Sequence, residues 1–396
     1  MDGLHRLFLA ILVVVFHALG AAPARGGETS PTGTAASDGA DFTADAVALF
    51  RIAACAPGER PALIDARIVD AHCRSLRRAM EAYTGGWLAT ARPFLAGKVP
   101  ATVPKAVVYP FGGGDLLTAL ATFPEAQEFT LLSLETAGNV RAIRTLPAGK
   151  LESLLRLNRE NIGNLFRVAH SKTTNLGLVM RGDLPGQLIF SLAALAVHGY
   201  EPFSLRYFRL EPDGAIHYLT EAEIAAAEVA AGGRKAERAR IYANAELRFR
   251  GVGGGPDKTY RHISANLDDV HLRKDPSPIR HLEAKGHVAA MTKAASYLLW
   301  WGEFSTIRNY LLAHVDWMIS DSTGIPPKLA TPSGFEYETY GRFAGPFLPA
   351  GREGAHDFRA LWRNQPKRPL PFRYGYPDSA GQNHLVIMRR AAPPAR

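Results

Sequence analysis

The chain has 396 residues, a hydrophobic content of 47% and a formal net charge of +9 at pH 7. This length and apolar content allow a large buried core in one large or two moderate domains, and they exclude a small disulfide-stapled scaffold. The basic charge favours anionic partners. Because the basic residues are scattered, without the aromatic-interleaved stripe of single-strand binders, the sequence does not favour nucleic acid. A preference for arginine in the encoding genome explains the same composition.

Residues 1–24 have the organisation of a cleavable secretory signal peptide. A short polar start, residues 1–6, precedes residues 7–19, which are apolar except for His17, and the small residues 22–24 follow. The alternative, a membrane anchor, needs about 20 apolar residues, more than this run supplies. We therefore expect a periplasmic or secreted protein whose mature chain is soluble and has no membrane span.

Only two cysteines are present, Cys55 and Cys73. In an oxidising compartment a closely spaced pair favours a disulfide, which for a loop of this size stabilises a fold by about 3 kcal/mol. Two buried free thiols are the alternative. The pair lacks the further ligands of a standard zinc motif, so the sequence predicts no metal site.

Composition and periodicity divide the mature chain into five segments. They are a flexible linker (25–43), an N-terminal helical segment (44–104), an α/β core (105–270), a helical segment (271–345) and a Pro/Gly/Arg-rich C-terminal segment with a final strand near 385–388 (346–396).

Within these segments the hydrophobic spacing predicts individual elements. Helices are expected at 151–169, 184–198, 221–240, 284–301 and 304–315. Strands at 203–210 and 215–220 flank a Glu-Pro-Asp-Gly turn, and strands at 241–250 and 259–267 flank a second glycine-rich turn. The fold class predicted from this order is α/β, a Rossmann-like mixed sheet with flanking helices and β-hairpins.

A glycine loop, residues 112–115, carries the strongest local signal for a binding site. A short strand (107–109) runs into the loop, a helix (116–122) follows, and a second strand (129–134) ends at Glu135. This order resembles the start of methyltransferase-type Rossmann folds. Glycines let a backbone approach a ligand closely, and an acidic residue about 20 positions on can bind ribose hydroxyls.

Three interpretations of the loop remain open: a helix cap made by Asp115, a site for a small ligand, and a true nucleotide site. The strict G-x-G-x-x-G pattern is absent and an exported protein meets little nucleotide, so we predict no cofactor. If the protein is an enzyme, Asp115 is the candidate acid/base. The candidate ligand-binding residues are Tyr109, Gly112, Gly113, Gly114, Asp115, Glu135 and Asp321.

Three segments resemble an exported bacterial family with a YPFSGPDFL-type segment and a later S-Y-L…F-S-x-I-R…D-S-G-I-P segment. They are YPFGGGDLLTALATFP (109–124), KAASYLLWWGEFSTIRNYLL (293–312) and SDSTGIPPK (320–328). This chain departs from the pattern at Gly113 and Gly114 and by the insertion of Thr323. The resemblance implies export and marks the segments of interest, but it implies no activity and no catalytic residues.

Two further groups of residues have weaker signals. Lys293, Ser296 and Tyr297 fall within one turn of the predicted helix 284–301, where a lysine could activate a serine, although the known order Ser-x-x-Lys is reversed. The alternative is a helix surface with a buried tyrosine.

Asp268, Asp269 and His271, with His281 and His287 downstream, offer metal-ligand chemistry. Their spacing matches no standard motif, and a solvated loop explains them equally.

Two functional hypotheses follow. The first is an exported protein with a small-ligand site at the glycine loop. The second is a non-catalytic envelope protein that binds an anionic envelope polymer or a protein partner through its basic C-terminal region. Convergence of Asp115, the polar loop 172–175 and Asp321 on one cleft would favour the first.

Overall fold

Ten strands form one mixed sheet in a computed structural model of the chain. The structure describes residues 39–61, 64–168, 186–295, 297–345, 352–375 and 383–391, so the predicted signal peptide and the loop 172–175 lie outside the described residues. The strands are β1 (Ala106–Pro110), β2 (Glu128–Ser133), β3 (Tyr200–Leu210), β4 (Ile216–Tyr218), β5 (Asn244–Gly251), β6 (Lys258–Ser264), β7 (Val288–Thr292), β8 (Val315–Ser320), β9 (Phe335–Arg342) and β10 (Asn383–Arg390).

The helices of the described ranges pack on both faces of this sheet. They are α1 (Thr43–Ile52), α2 (Ala66–Tyr83), α3 (Ala89–Ala96), α4 (Leu116–Thr122), α5 (Ala142–Thr145), α6 (Ala148–Val168), α7 (Gly186–His198), α8 (Glu221–Ala231), α9 (Lys235–Ile241), α10 (Asp269–Lys274), α11 (Ser277–Glu283), α12 (Ser305–His314), α13 (Pro327–Ala330) and α14 (Arg352–Asn364).

The strand order is β4-β3-β5-β6-β2-β1-β7-β8-β10-β9. The central five strands, β6 to β8 in this order, are parallel. Antiparallel pairs extend the sheet on both sides, including the two predicted hairpins β3–β4 and β5–β6. The predicted fold class, α/β with a Rossmann-like mixed sheet, flanking helices and hairpins, is confirmed.

Alternation along the central strands produces two cores, because successive side chains of a strand point to opposite faces. Tyr109 and Leu131 pack with α1 to α4, α6 and α7 on one face. Val108 and Leu132 pack with α10, α11 and α12 on the other. Helices on both faces explain why every residue of β1 and β2 after the first is buried.

The predicted helix 284–301 is wrong, since the segment contains the strand β7. All five side chains of β7 are buried. A short, fully buried apolar run has no polar face, so periodicity cannot separate a central strand from a buried helix. The predicted helical segment 271–345 holds helices but also supplies β7, β8 and β9 to the sheet. The α/β core therefore extends far beyond residue 270.

Two further boundaries differ from expectation. The predicted helix 221–240 is broken at Gly232, whose φ of 55° ends α8. The predicted linker 25–43 ends too late: Phe42 is 1% exposed and its ring centroid lies 4.7 Å from that of Tyr207. The Phe42 backbone N–H also donates to the carbonyl of Leu205 in β3, at 3.0 Å.

The predicted disulfide is present. Cys55, in the turn after α1, is bonded to Cys73 of α2, and their Cα atoms are 5.3 Å apart. The bond joins two helical segments that precede the sheet. Within the ranges that the structure describes, no helix has the length and apolarity needed to cross a membrane.

Candidate functional site

The central sheet has a topological switch point between β1 and β7. From β1 the chain passes through α4 to β2 on one side, whereas from β7 it passes through α12 to β8 on the other side. The two connections leave neighbouring strands in opposite directions at their carboxyl ends. Ligands of open α/β sheets collect at this position.

A buried ion pair lies at this position. Lys293 directly follows β7, and its Nζ is 2.8 Å from Oδ2 of Asp115, which lies in the loop after β1. The side chains of Lys293 and Asp115 are 0% and 2% exposed. Removing two charged groups from water this completely costs free energy, which their mutual attraction offsets.

Asp115 uses both of its carboxylate oxygens. Oδ1 accepts hydrogen bonds from the Thr118 backbone N–H at 3.2 Å and from the Thr118 hydroxyl at 2.7 Å. The Tyr109 hydroxyl donates to Oδ2 at 3.0 Å. The helix-cap interpretation is therefore correct, and the same carboxylate also binds Lys293.

Asp321 extends the network from the end of β8. Its Oδ2 accepts from the backbone N–H of Ala294, the neighbour of Lys293, at 3.0 Å, and its Oδ1 accepts from the Thr323 N–H at 2.8 Å. Burial raises the pKa of Asp321, and the hydrogen bonds from Thr323 and Ala294 and the charge of Lys293 oppose this rise. We name Tyr109, Asp115, Thr118, Lys293, Asp321 and Thr323 the switch-point cluster.

A second polar pair adjoins the cluster. Nε2 of His384, in β10, lies 2.9 Å from the hydroxyl of Ser322, and both side chains are 0% exposed. The rings of Phe343 and Trp362 pack against the imidazole. Burial lowers the pKa of His384 to about 3, so the ring is neutral at pH 7. Ser322 lies in the segment 320–328 that carries the family resemblance, whereas His384 belongs to no recognisable motif, and sequence reasoning missed their pairing.

Tyr374, in the C-terminal part of the chain, packs against the cluster. The Lys293 Nζ lies 5.4 Å from the centre of the Tyr374 ring, a cation–π distance. Gly375 follows with a φ of 88°, and a Cβ added there would meet the Cβ of Asp321 at 2.9 Å. This glycine is therefore required for the close approach of the C-terminal segment.

The glycine loop packs against the protein itself. A Cβ on Gly112 would lie 2.9 Å from the carbonyl oxygen of Tyr109, and a Cβ on Gly114 would lie 3.1 Å from Phe190 of α7. The Gly112 N–H donates to the carbonyl of Leu132 at 3.0 Å, and the Gln187 amide of α7 donates to the carbonyl of Gly113. These glycines allow close contact with protein side chains and backbone.

Most of the predicted ligand-binding residues lie at this edge of the sheet. Tyr109, Asp115 and Asp321 are in the cluster, and the glycine loop lies beside it. Glu135 lies after β2, where it is half-buried and its carbonyl accepts from His262 at 2.7 Å. Across the described ranges, no hydrogen bond or ion pair joins the Glu135 side chain to the cluster.

The prediction that Lys293 and Tyr297 share a helical turn is wrong, and Ser296 lies outside the described residues. Lys293 follows a strand, and both Ala294 and Tyr297 have positive φ values, 56° and 66°. Left-handed backbone at two non-glycine residues is incompatible with a helix. The segment is a tight connection that turns Lys293 toward Asp115.

The acidic and histidine residues near α10 have structural partners. Asp268 caps α10 and its carboxylate lies 2.8 Å from Nδ1 of His271, while Asp269 accepts from the Thr306 N–H at the start of α12. His281 bonds the carbonyl of Gly214, and His287 bonds Asp316. Among the described residues these side chains form no shared metal-ligand group.

Comparison with known proteins adds no identification. No protein-family model, no curated protein and no solved structure matches this chain. The geometry of the switch-point cluster is therefore the basis for inferring its role.

We expect Lys293→Met to lower the free energy of unfolding by about 3–5 kcal/mol, because it leaves the Asp115 carboxylate buried without a counter-charge. Adding Asp115→Asn, which keeps a capping oxygen for Thr118, should recover part of this loss. Urea unfolding of both single variants and the double variant measures the coupling. Strictly additive single-variant losses would show that the two charges do not depend on each other.

Acidification should also lower the stability of the fold, because His384 takes up a proton more readily in the unfolded state than in the folded state. An unfolded histidine takes up a proton near its ordinary pKa, whereas folded His384 has a pKa of about 3, so the unfolded state gains protons first as the pH falls below about 6.5. Between pH 6 and pH 4, His384→Gln should reduce the slope of unfolding free energy against pH by up to about 1.4 kcal/mol per pH unit. An unchanged slope would contradict the buried, neutral state of this ring.

Proposed function

We propose that the protein acts outside the cytoplasm and binds a small polar ligand with an acidic group at the switch-point cluster. The observation that carries this proposal is the ion pair between Lys293 and Asp115, since it lies at the carboxyl ends of β1 and β7, where α/β sheets bind ligands. Buried charges with specific partners concentrate at functional sites.

Lys293 is the group that selects an acidic ligand. Its ammonium is wholly buried, and Asp115 and Asp321 are the two carboxylates of the cluster. A carboxylate or phosphate of a ligand offers the same charge and geometry as the oxygen of Asp115 that Lys293 now contacts. Such a group can form an ion pair with the Lys293 ammonium, whereas the ammonium would repel a cationic group.

The segments that carry the family resemblance also support this location. The first supplies Tyr109, Asp115 and Thr118, the second supplies Lys293, and the third supplies Asp321 and Thr323. These segments lie far apart in the sequence, and hydrogen bonds join them in the structure. A shared binding role accounts for three motifs that meet at one position.

The proposed compartment rests on two observations. The Cys55–Cys73 disulfide fits an oxidising environment. Residues 1–24 have the pattern of a secretory signal. An extracytoplasmic protein meets little nucleotide, which favours organic acids and acidic sugars among the acidic ligands.

The ligand is found by thermal-shift screening of the purified protein against a panel of carboxylic acids, acidic sugars and phosphorylated metabolites. We expect at least one member to raise the melting temperature of the wild type, because a ligand that binds only the folded state stabilises it. Lys293→Met should abolish this shift.

Lys285→Met is the matched control. Lys285 is also a largely buried lysine, 9% exposed and paired with Glu128, but it precedes β7 at the other end of that strand. This variant loses an ion pair and should keep the ligand-dependent shift. A panel without any stabilising acid, or equal shifts in wild type and Lys293→Met, would contradict the proposal.

A second candidate function is binding of an anionic polymer, and a groove near the C-terminal part of the chain favours it. The groove has a volume of about 620 Å³ and is lined by Gly341, Arg342, Lys367, Arg368, Pro369, Leu370 and Asn383. Arg368 is paired with Glu338 at 3.3 Å. In the described chain, Arg342 and Lys367 are exposed and have no ion-pair partner. Their charge is available to an acidic chain lying in the groove.

Binding of heparin, as a probe for acidic polysaccharide, tests this candidate at several salt concentrations. We expect affinity to fall steeply with salt, because exposed charges are screened over about 10 Å at 0.1 M ionic strength. Arg342→Gln with Lys367→Gln should lower affinity more than the charge-matched pair Arg238→Gln with Arg240→Gln in α9. Equal losses in the two double variants would assign the binding to overall charge and not to the groove.

A further inference from the structure

We propose that Cys55, His72 and Cys73 form a zinc-binding site when the disulfide between the two cysteines is reduced. The site lies between the turn after α1 and the helix α2, apart from the switch-point cluster. It is independent of the proposed ligand-binding function.

The three side chains already have the proximity that a metal requires. One ligand atom from each, the two sulfurs and a ring nitrogen of His72, lie within 4.8 Å of one another. Cys55, His72 and Cys73 are 4%, 2% and 0% exposed. Two thiolates and one imidazole are ligands that zinc prefers, and burial protects such a site from competing water.

His72 is held in the protonation state of a metal ligand. Its Nε2 lies 2.9 Å from the carbonyl oxygen of Ala53, and because a carbonyl only accepts, Nε2 carries the hydrogen. Nδ1 therefore has a free lone pair, and it is buried without a hydrogen-bond partner in the part of the chain that the structure describes. Metal-ligating histidines typically donate their second N–H to a carbonyl or carboxylate in this way.

A neutral imidazole and two thiolates are the forms that bind a metal. The hydrogen bond from Nε2 to the carbonyl of Ala53 leaves Nδ1 as the ring nitrogen that can bind it.

An oxygen ligand is also close. The carbonyl oxygen of Ile52 lies 3.8 Å from the sulfur of Cys55 and 3.8 Å from the sulfur of Cys73. After the sulfurs separate to admit an ion, this carbonyl or a water can complete a four-ligand shell. Sites with three protein side chains and one further oxygen are common for zinc.

The disulfide and the metal exclude each other. A dithiol reductant supplies two electrons: the S–S bond of the protein breaks, two cysteine thiols form, and the reductant closes to its own disulfide. Binding of Zn²⁺ then releases the two thiol protons. The metal would link the turn after α1 to α2 in the reduced chain, as the disulfide does in the oxidised chain.

Cobalt titration of the full chain tests the site, because Co²⁺ reports tetrahedral thiolate ligation by its visible d–d bands and ultraviolet charge-transfer band. The protein is unfolded in guanidinium with a dithiol, freed of reductant under anaerobic conditions and refolded with Co²⁺. We expect one equivalent to bind with these bands and to be displaced by Zn²⁺. Protein that keeps its disulfide should show none of them.

Three variants separate ligation from folding. Cys55→Ala with Cys73→Ala should fold, as judged by circular dichroism, and bind no Co²⁺. His72→Ala should bind Co²⁺ more weakly by on the order of tenfold or more. His281→Ala, which removes a buried histidine elsewhere, should bind as the wild type does.

The proposal is overturned if the reduced wild type folds and shows no thiolate–cobalt bands, or if His72→Ala binds Co²⁺ as tightly as the wild type. It is also overturned if the reduced chain stays unfolded and added metal restores no native circular dichroism. Each of these outcomes leaves the switch-point proposal unaffected, because that proposal concerns the oxidised protein.

Discussion

The rest of the site depends on the ion pair between Asp115 and Lys293. Neither charge can stay buried alone, because the interior does not replace the hydration that each has lost. Their mutual attraction fixes the loop after β1 to the loop after β7, although Asp115 and Lys293 lie far apart in the sequence. The capping bond to Thr118 and the Ala294–Asp321 hydrogen bond then extend this constraint to α4 and β8. One electrostatic requirement therefore organises the carboxyl edge of three parallel strands.

The glycine loop beside this ion pair has a different role from the one that its sequence suggests. A run of glycines after a strand suggests a backbone that cradles a ligand, but here the loop contacts Phe190 and Leu132 of the protein. The small residues make room for α7, and the carboxylate of Asp115 occupies the start of α4 that an anion would otherwise approach. The proposed recognition of an acidic ligand therefore depends on side chains, above all Lys293, and not on the backbone of the loop.

The described chain combines distinct chemistries at separate positions. The switch-point cluster is buried and charged, whereas the groove at Arg342 and Lys367 is open and basic. The Cys55–Cys73 disulfide is buried away from solvent. The three positions differ in solvent exposure. Salt screens the exposed charges of the groove, but it has little effect on charges that are already desolvated.

The sequence by itself predicted the α/β class, both hairpins and the disulfide, because each depends on local patterns or on only two cysteines. It offered the helix cap at Asp115 as one of three interpretations, and the structure shows that cap. The sequence pattern predicted a helix where β7 lies, since a strand buried on both faces has no alternation of polar and apolar residues. It also gave no sign that Lys293 pairs with Asp115 or that His384 meets Ser322. Those partners come from distant segments, and only the packing of parallel strands brings them within hydrogen-bond distance.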